Sequence, residues 1–173
     1  MSSACPKCGF EYAWDGTTCS HCRGLDTNRD EFLESRFLLK AAKNGLPSKR
    51  TWLFREVSPE MQKQVVEIIG DRFRGKPVLI FVDSPSRWTL LTTQCVFSWY
   101  KENLHEASID DLIRVGADSK PPRHATSEEI DNWKVSWEYL RLVDAVGVAV
   151  VWVPCGSEAY SLWNILLPHT YHR

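Results

Sequence analysis

The chain lacks a dominant charge. Its 21 Lys and Arg stand against 22 Asp and Glu, a formal net charge of −1 over 173 residues. A balance this close excludes bulk attraction to a polyanion, so any nucleic-acid or phospholipid contact must come from a local cluster. Long hydrophobic runs are missing too. A stretch such as Val146 to Pro154 falls far short of the ~20 apolar residues a membrane-spanning helix needs. The opening Met1-Ser2-Ser3-Ala4-Cys5-Pro6 has no basic n-region and no apolar h-region, and so does not read as a secretory signal. The expectation is a cytoplasmic protein without a transmembrane segment. In such a compartment disulfides are disfavoured, and cysteines serve as metal ligands or packed thiols.

Catalytic signatures are equally scarce. The sequence contains no G-x-S-x-G, Walker loop, dinucleotide fingerprint or H-E-x-x-H, the motifs that would announce a nucleophile elbow, a phosphate cradle or a catalytic zinc. Cys155-Gly156-Ser157 precedes a predicted helix, whose first N–H groups favour a thiolate. His105, His124 or His169 would have to supply the base, and no motif brings one near. A cysteine-dependent enzyme around Cys155 therefore stands only as a second alternative, and no catalytic residue is assigned. Cys95 lies in an apolar strand and reads as a packed thiol. His169-Thr170-Tyr171-His172 has metal-like spacing but reads as a frayed tail.

What is present is concentrated at the start. Four of the six cysteines form Cys5-x-x-Cys8 and Cys19-x-x-Cys22. Zn²⁺ takes four soft ligands in a tetrahedron, and two such turns facing one another supply them. Between the pairs, Phe10, Tyr12 and Trp14 alternate with Glu11 and Ala13, followed by Asp15-Gly16. That is a strand with one covered face leading into a hairpin turn. Four thiolates close the metal's coordination shell, which makes the site structural rather than catalytic. The first knuckle, Cys5-Pro6-Lys7-Cys8-Gly9, and the second, Cys19-Ser20-His21-Cys22, resemble a zinc ribbon. The resemblance covers residues 5–24 and implies one structural Zn²⁺ per chain held by Cys5, Cys8, Cys19 and Cys22.

Two helices are predicted next. Phe32, Leu33, Phe37, Leu38 and Leu39 recur at helical spacing over 28–44, and Gly45 and Pro47 end the pattern. Ser58-Pro59-Glu60 opens a second helix over 59–74, with Met61, Val65, Ile68, Ile69 and Phe73 as its stripe. Between and around them Arg36, Lys40, Lys43, Lys49, Arg50 and Arg55 occur with no acid interspersed. These six are the candidate anion or nucleic-acid contacts. Flanking acids dilute their field, so an ordinary solvated helix face is the reading favoured.

From residue 77 onward short apolar strands dominate: 77–83, 88–93, 95–100, 105–109, 135–142 and 148–153. Thr126-Ser127-Glu128-Glu129 has the form of a capping box for a short helix over 127–133, and Gly156-Ser157-Glu158 opens a terminal helix. Trp88-Thr89-Leu90-Leu91-Thr92-Thr93 with its hairpin to Ser98-Trp99, the Ser108-Ile109-Asp110-Asp111-Leu112 turn, and the strand-then-helix ending from Val150 to Leu166 resemble bacterial pleckstrin-homology-like domains over residues 77–168. The resemblance implies a bent antiparallel sandwich or barrel closed by a C-terminal helix. It also implies binding of proteins, peptides or lipids rather than catalysis. The first hairpin carries Arg87 without the basic cluster that lipid-phosphate binders of this family use, so a membrane lipid is disfavoured against another protein.

The expected architecture is α+β: a zinc ribbon over 1–25, a helical linker segment over 26–76 and a pleckstrin-homology-like domain over 77–173. The expected role is that of a non-enzymatic, zinc-binding regulatory or adaptor module for protein binding. A nucleic-acid-associated protein using the 36–55 stretch is the alternative. Protein purified without chelator is predicted to carry about one Zn²⁺ per chain. A metal assay that finds none would sink the ribbon reading.

Overall fold

The central strands of this fold are buried on both faces. The structure is a computed structural model describing residues 29–170. The first element, α1 (Arg29–Lys43), turns Leu33, Phe37 and Ala41 inward at a four-residue spacing, the period that keeps one stripe facing a core. A short strand β1 (Thr51–Leu53) follows, then a 3₁₀ turn over Phe54–Glu56 and α2 (Pro59–Ile69). The Ser58 hydroxyl caps α2 by accepting from Met61 N–H, and Pro59 sits where its missing N–H costs nothing. The apolar stripe runs to Phe73, but α2 stops earlier than that stripe suggests. Gly70 adopts φ 58° at its C-terminus and a 3₁₀ turn over Gly70–Arg72 takes over. A single glycine in the left-handed region is enough to break the i to i−4 ladder.

Four longer strands come next: β2 (Pro77–Ser84), β3 (Arg87–Thr92), β4 (Cys95–Tyr100) and β5 (Asn103–Ser108). With β1 they form one antiparallel sheet in the order β1-β2-β3-β4-β5. A second antiparallel sheet, β6-β7-β8, contains β6 (Arg114–Ala117), β7 (Tyr139–Val143) and β8 (Val148–Trp152). Between β6 and β7 lies α3 (Ser127–Val135), and α4 (Ser157–Leu166) closes the sequence of elements. The fold is thus α+β, with four α-helices and two antiparallel sheets among the described residues.

The capping box predicted for α3 is formed. Thr126 Oγ1 accepts from Glu129 N–H at 3.2 Å, and Glu129 Oε2 accepts from Thr126 N–H at 2.7 Å. The helix runs on through Val135, so β7 begins at Tyr139 rather than at 135 as the alternation suggests.

The register separates the faces of the five-stranded sheet. On one face Ile80, Leu90 and Phe97 align across β2, β3 and β4, with Trp88 and Cys95 alongside. This face packs on Phe54, Val65 and Ile69 from the 3₁₀ turn and α2. On the opposite face Leu79, Leu91 and Val96 align, with Phe81 and Ala107. They pack with Phe37 of α1, Leu140, Leu142 and Val151 of the second sheet, and Leu162 and Ile165 of α4. A sheet covered on both faces explains the near-continuous apolar runs of β2–β4. Residues 29–76, expected as a helical linker, therefore supply side chains to both cores.

The two sheets are joined by side-chain hydroxyls. Strand β8 pairs with β7, and among the described residues its other edge has no strand partner; buried edge groups must find acceptors and donors elsewhere. Trp152 N–H donates to Ser98 Oγ at 3.0 Å, and Thr89 Oγ1 donates to Trp152 C=O. Thr89 and Ser98 face one another across β3 and β4, their hydroxyls 2.7 Å apart, and both are fully buried. The protons then run in a closed circuit from Trp152 N–H through Ser98 and Thr89 back to Trp152 C=O. Tyr100 OH donates to Val150 C=O at 2.8 Å and satisfies the same edge two residues earlier. At the far edge of the second sheet, Val115 C=O of β6 accepts from Trp163 Nε1 of α4 at 3.3 Å.

Ser98→Ala removes the acceptor for a buried N–H and breaks the circuit. The expected cost is about 1–3 kcal/mol of unfolding free energy. Denaturant unfolding of the variant checks this, and a loss under about 0.5 kcal/mol, the range of an inconsequential surface change, would mean that the circuit does not hold the sheets.

Candidate functional site

The cysteine quartet, Cys5, Cys8, Cys19 and Cys22, lies outside the described residues. Among the described residues no group of three or more His, Cys, Asp or Glu is placed to hold a metal ion. The structure does define where the quartet's chain joins the body. Arg29 forms an ion pair with Asp110 on the link between β5 and β6. Asp30 accepts from Thr93 Oγ1 at 2.7 Å at the β3–β4 turn. Glu34 pairs with Lys76 at 2.5 Å. The first turn of α1 is therefore tied to the corner built by residues 92–94 and 108–111.

The six basic candidates do not share one environment. Arg36, Lys40 and Lys43 follow one another along one flank of α1, at spacings of four and three residues. Burial, then the like charges of Arg36 and Lys43, hold the Lys40 ammonium below its ordinary value. Lys40 Nζ donates to Asn164 C=O of α4 at 3.1 Å, and the Arg36 guanidinium lies 5.7 Å from the Phe32 ring centroid. Arg50 reaches across to donate to Cys155 C=O at 3.3 Å. Lys49 is exposed in the turn before β1. Arg55 is exposed too, on the 3₁₀ turn whose Phe54 enters the core under α2, on the opposite side of the five-stranded sheet from Phe37 of α1. What sequence proximity suggests as one patch is a cationic flank on α1 plus three separate residues.

Arg87 carries the opposite lesson. As the cation of the first long hairpin it was the residue to inspect for phosphate binding, and its side chain is used internally. Its guanidinium stacks over the Trp152 ring, 4.8 Å from the centroid, and pairs with Glu138. It also donates to Tyr139 OH at 3.3 Å and stands 3.9 Å from Asp83. Trp152 Nε1 donates to the same Glu138 carboxylate at 3.2 Å. The result is a clasp between the β2–β3 turn and the second sheet, built from a cation–π contact and charge-assisted hydrogen bonds. Nothing in the local sequence reveals it, because Glu138 is 51 positions away from Arg87.

Of the thiols, Cys95 is buried in the core beneath α2, and burial pushes it up to about 11. It is an inert packed thiol. Cys155 is exposed, just ahead of α4. The histidines considered as its base are engaged elsewhere or remote in the fold. His105 stacks on Tyr100 at 4.5 Å, where burial lowers its pKa. His169 meets the Phe37 ring edge-on at 5.3 Å. His124 sits in the exposed 118–126 loop with φ 57°. The next carboxylate along the chain, Glu158, is buried and accepts from Ser48 Oγ at 2.7 Å, tying the start of α4 to the turn before β1.

No protein-family model matches the chain, and neither a curated protein nor a solved structure with significant similarity to it was found.

Arg87→Ala removes the stacking and the bond to Glu138 together, from a half-exposed site. It is expected to lower unfolding free energy by about 1–2 kcal/mol, read by denaturant titration. A variant as stable as the wild type would mean that the clasp does not hold the turn to the second sheet.

Proposed function

We propose that this protein is a non-enzymatic, zinc-binding regulatory or adaptor module that engages another protein. In this reading the N-terminal quartet forms a closed zinc ribbon, and residues 77–168 form a pleckstrin-homology-like body. The strand order supports the second part: a four-stranded meander β2–β5, a three-stranded meander β6–β8 and then a closing helix α4 follow the layout of that family. Three departures stand beside it: β1 adds a fifth strand to the first sheet, α3 interrupts the second meander between β6 and β7, and α2 covers the outer face of the first sheet.

The observation that carries the choice of ligand class is the internal engagement of Arg87. A phosphate-binding hairpin needs a free cation, and this one is spent on Trp152 and Glu138. Protein binding is then favoured over lipid binding. The cationic flank of Arg36, Lys40 and Lys43 favours nucleic acid as the second reading, because three cations at spacings of four and three residues lie along one side of α1.

The test is affinity capture on the immobilised full chain, with nuclease treatment, a salt series and a parallel vesicle-sedimentation arm. The expected outcome is a protein retained in stoichiometric amount, insensitive to nuclease and only weakly sensitive to salt. Retention on heparin or DNA that falls steeply with salt would overturn this in favour of the nucleic-acid reading. Sedimentation with phosphoinositide vesicles would overturn it in favour of lipid.

A further inference from the structure

The excursion between β6 and β7 is built differently from the body it joins. From Asp118 to Ser136 no residue is buried, and only Ala125, Ile130, Trp133 and Lys134 are even half-buried. Val115 before it and Trp137 after it are each 6% exposed. Its polar contacts are internal. Trp133 Nε1 donates to Ser119 Oγ at 2.9 Å, Thr126 and Glu129 cap one another, Lys134 pairs with Asp131, and Ser136 Oγ donates to Trp133 C=O. Among the described residues, no hydrogen bond or ion pair joins residues 119–136 to the rest of the chain. The base of the excursion is clamped instead. Asp118 N–H donates to Tyr139 C=O at 3.0 Å, the Asp118 carboxylate accepts from Arg141 at 2.6 Å, and Glu138 holds Arg87 and Trp152.

What holds the excursion down is apolar. Its helix α3 lies against α4, and the Trp133 ring meets Trp137 edge-on at 5.0 Å. Trp137 in turn packs against the rings of Tyr160 and Trp163 on α4, 6.1 and 6.0 Å away. The Trp137 indole Nε1 is buried and has no hydrogen-bond partner. A buried indole N–H normally finds an acceptor, and leaving it unpaired costs stability. The closed arrangement thus carries an unsatisfied donor beside a weakly attached segment. Segments with few buried apolar contacts open locally, at free energies below that of global unfolding. The capping box and the bond from Trp133 to Ser119 keep this one together as it lifts.

We propose that residues 119–136 are a lid, latched by Trp133, that opens as a unit while both sheets stay formed. Opening exposes Trp137, whose indole N–H then gains an acceptor. Closed, the lid keeps the Trp137 ring from solvent and from any outside partner. The clamps at Asp118 and Glu138 confine the movement to the residues between them.

Hydrogen exchange of the intact, zinc-supplemented chain tests it, read by NMR at single N–H groups. The α3 amides and the Trp137 indole N–H are expected to share one opening equilibrium, at least about tenfold more populated than the one that exposes the slowest amides of β7. Trp133→Ala is expected to raise both rates several-fold and to leave the β7 amides unchanged. Fast α3 amides beside a Trp137 indole that exchanges only with β7 would overturn the proposal, because the helix would then be fraying in place. So would α3 amides as slow as those of β7, or rates unchanged in Trp133→Ala. Should that variant fail to fold, Ser119→Ala removes only the bond to the latch and leaves the rings in place. It is expected to speed Trp137 indole exchange several-fold, and an unchanged rate overturns the proposal.

Discussion

Everything on the helical side of the five-stranded sheet depends on how β8 is allowed to lie against it. A strand edge is a row of backbone dipoles, and pressing that row onto an apolar face would leave them unpaired at a cost of about 1–3 kcal/mol each. Thr89, Ser98 and Tyr100 remove the conflict by placing hydroxyls where the N–H and C=O groups of Trp152 and the C=O of Val150 arrive. With that edge satisfied, the second sheet leans on the first, and α1 and α4 fill the remaining space around Leu79, Phe81 and Leu91. The indole of Trp152 then extends to Arg87, so one residue organises both the buried junction and the surface clasp.

The division of labour between the faces follows from this. The face under α2 is built chiefly from neighbours in sequence, β1 to β4 with the turn and helix that separate β1 from β2, joined by Leu104 of β5, and Glu106 at its margin accepts from Cys95 Sγ. The opposite face gathers residues from both ends of the described chain, Leu33 of α1 and Leu166 of α4 among them. Local contacts close the first core cheaply, whereas the second requires long loops to be closed before it is rewarded.

Much of the fold was legible because its signals are local. The α3 capping box, the Pro59 start of α2 and the β3–β4 hairpin around Thr93-Gln94 are each set by residues within a few positions of one another, and each is present. The helix expected over 59–74 ends at Ile69, because the apolar stripe continues through Ile69 to Phe73 while Gly70 between them takes a positive φ. Two antiparallel sheets agree with the expected sandwich, but the contacts that join them were not legible, since they depend on hydroxyls in otherwise apolar strands, which read as ordinary alternation. For the site, the cysteine spacing carries an expectation of metal binding on four residues that lie outside the described ones. The fate of Arg87 and the dispersal of Arg50 and Arg55 away from the α1 flank rest on contacts across tens of residues, as with Arg50 and Cys155, 105 positions apart.

A last consequence follows from Trp163. Among the described residues β6 is an edge strand, and open edges recruit strands from neighbouring molecules. By donating its indole N–H to Val115 C=O, α4 occupies an acceptor that an incoming strand would need. A helix that closes the fold in one direction thereby covers part of a strand edge in another.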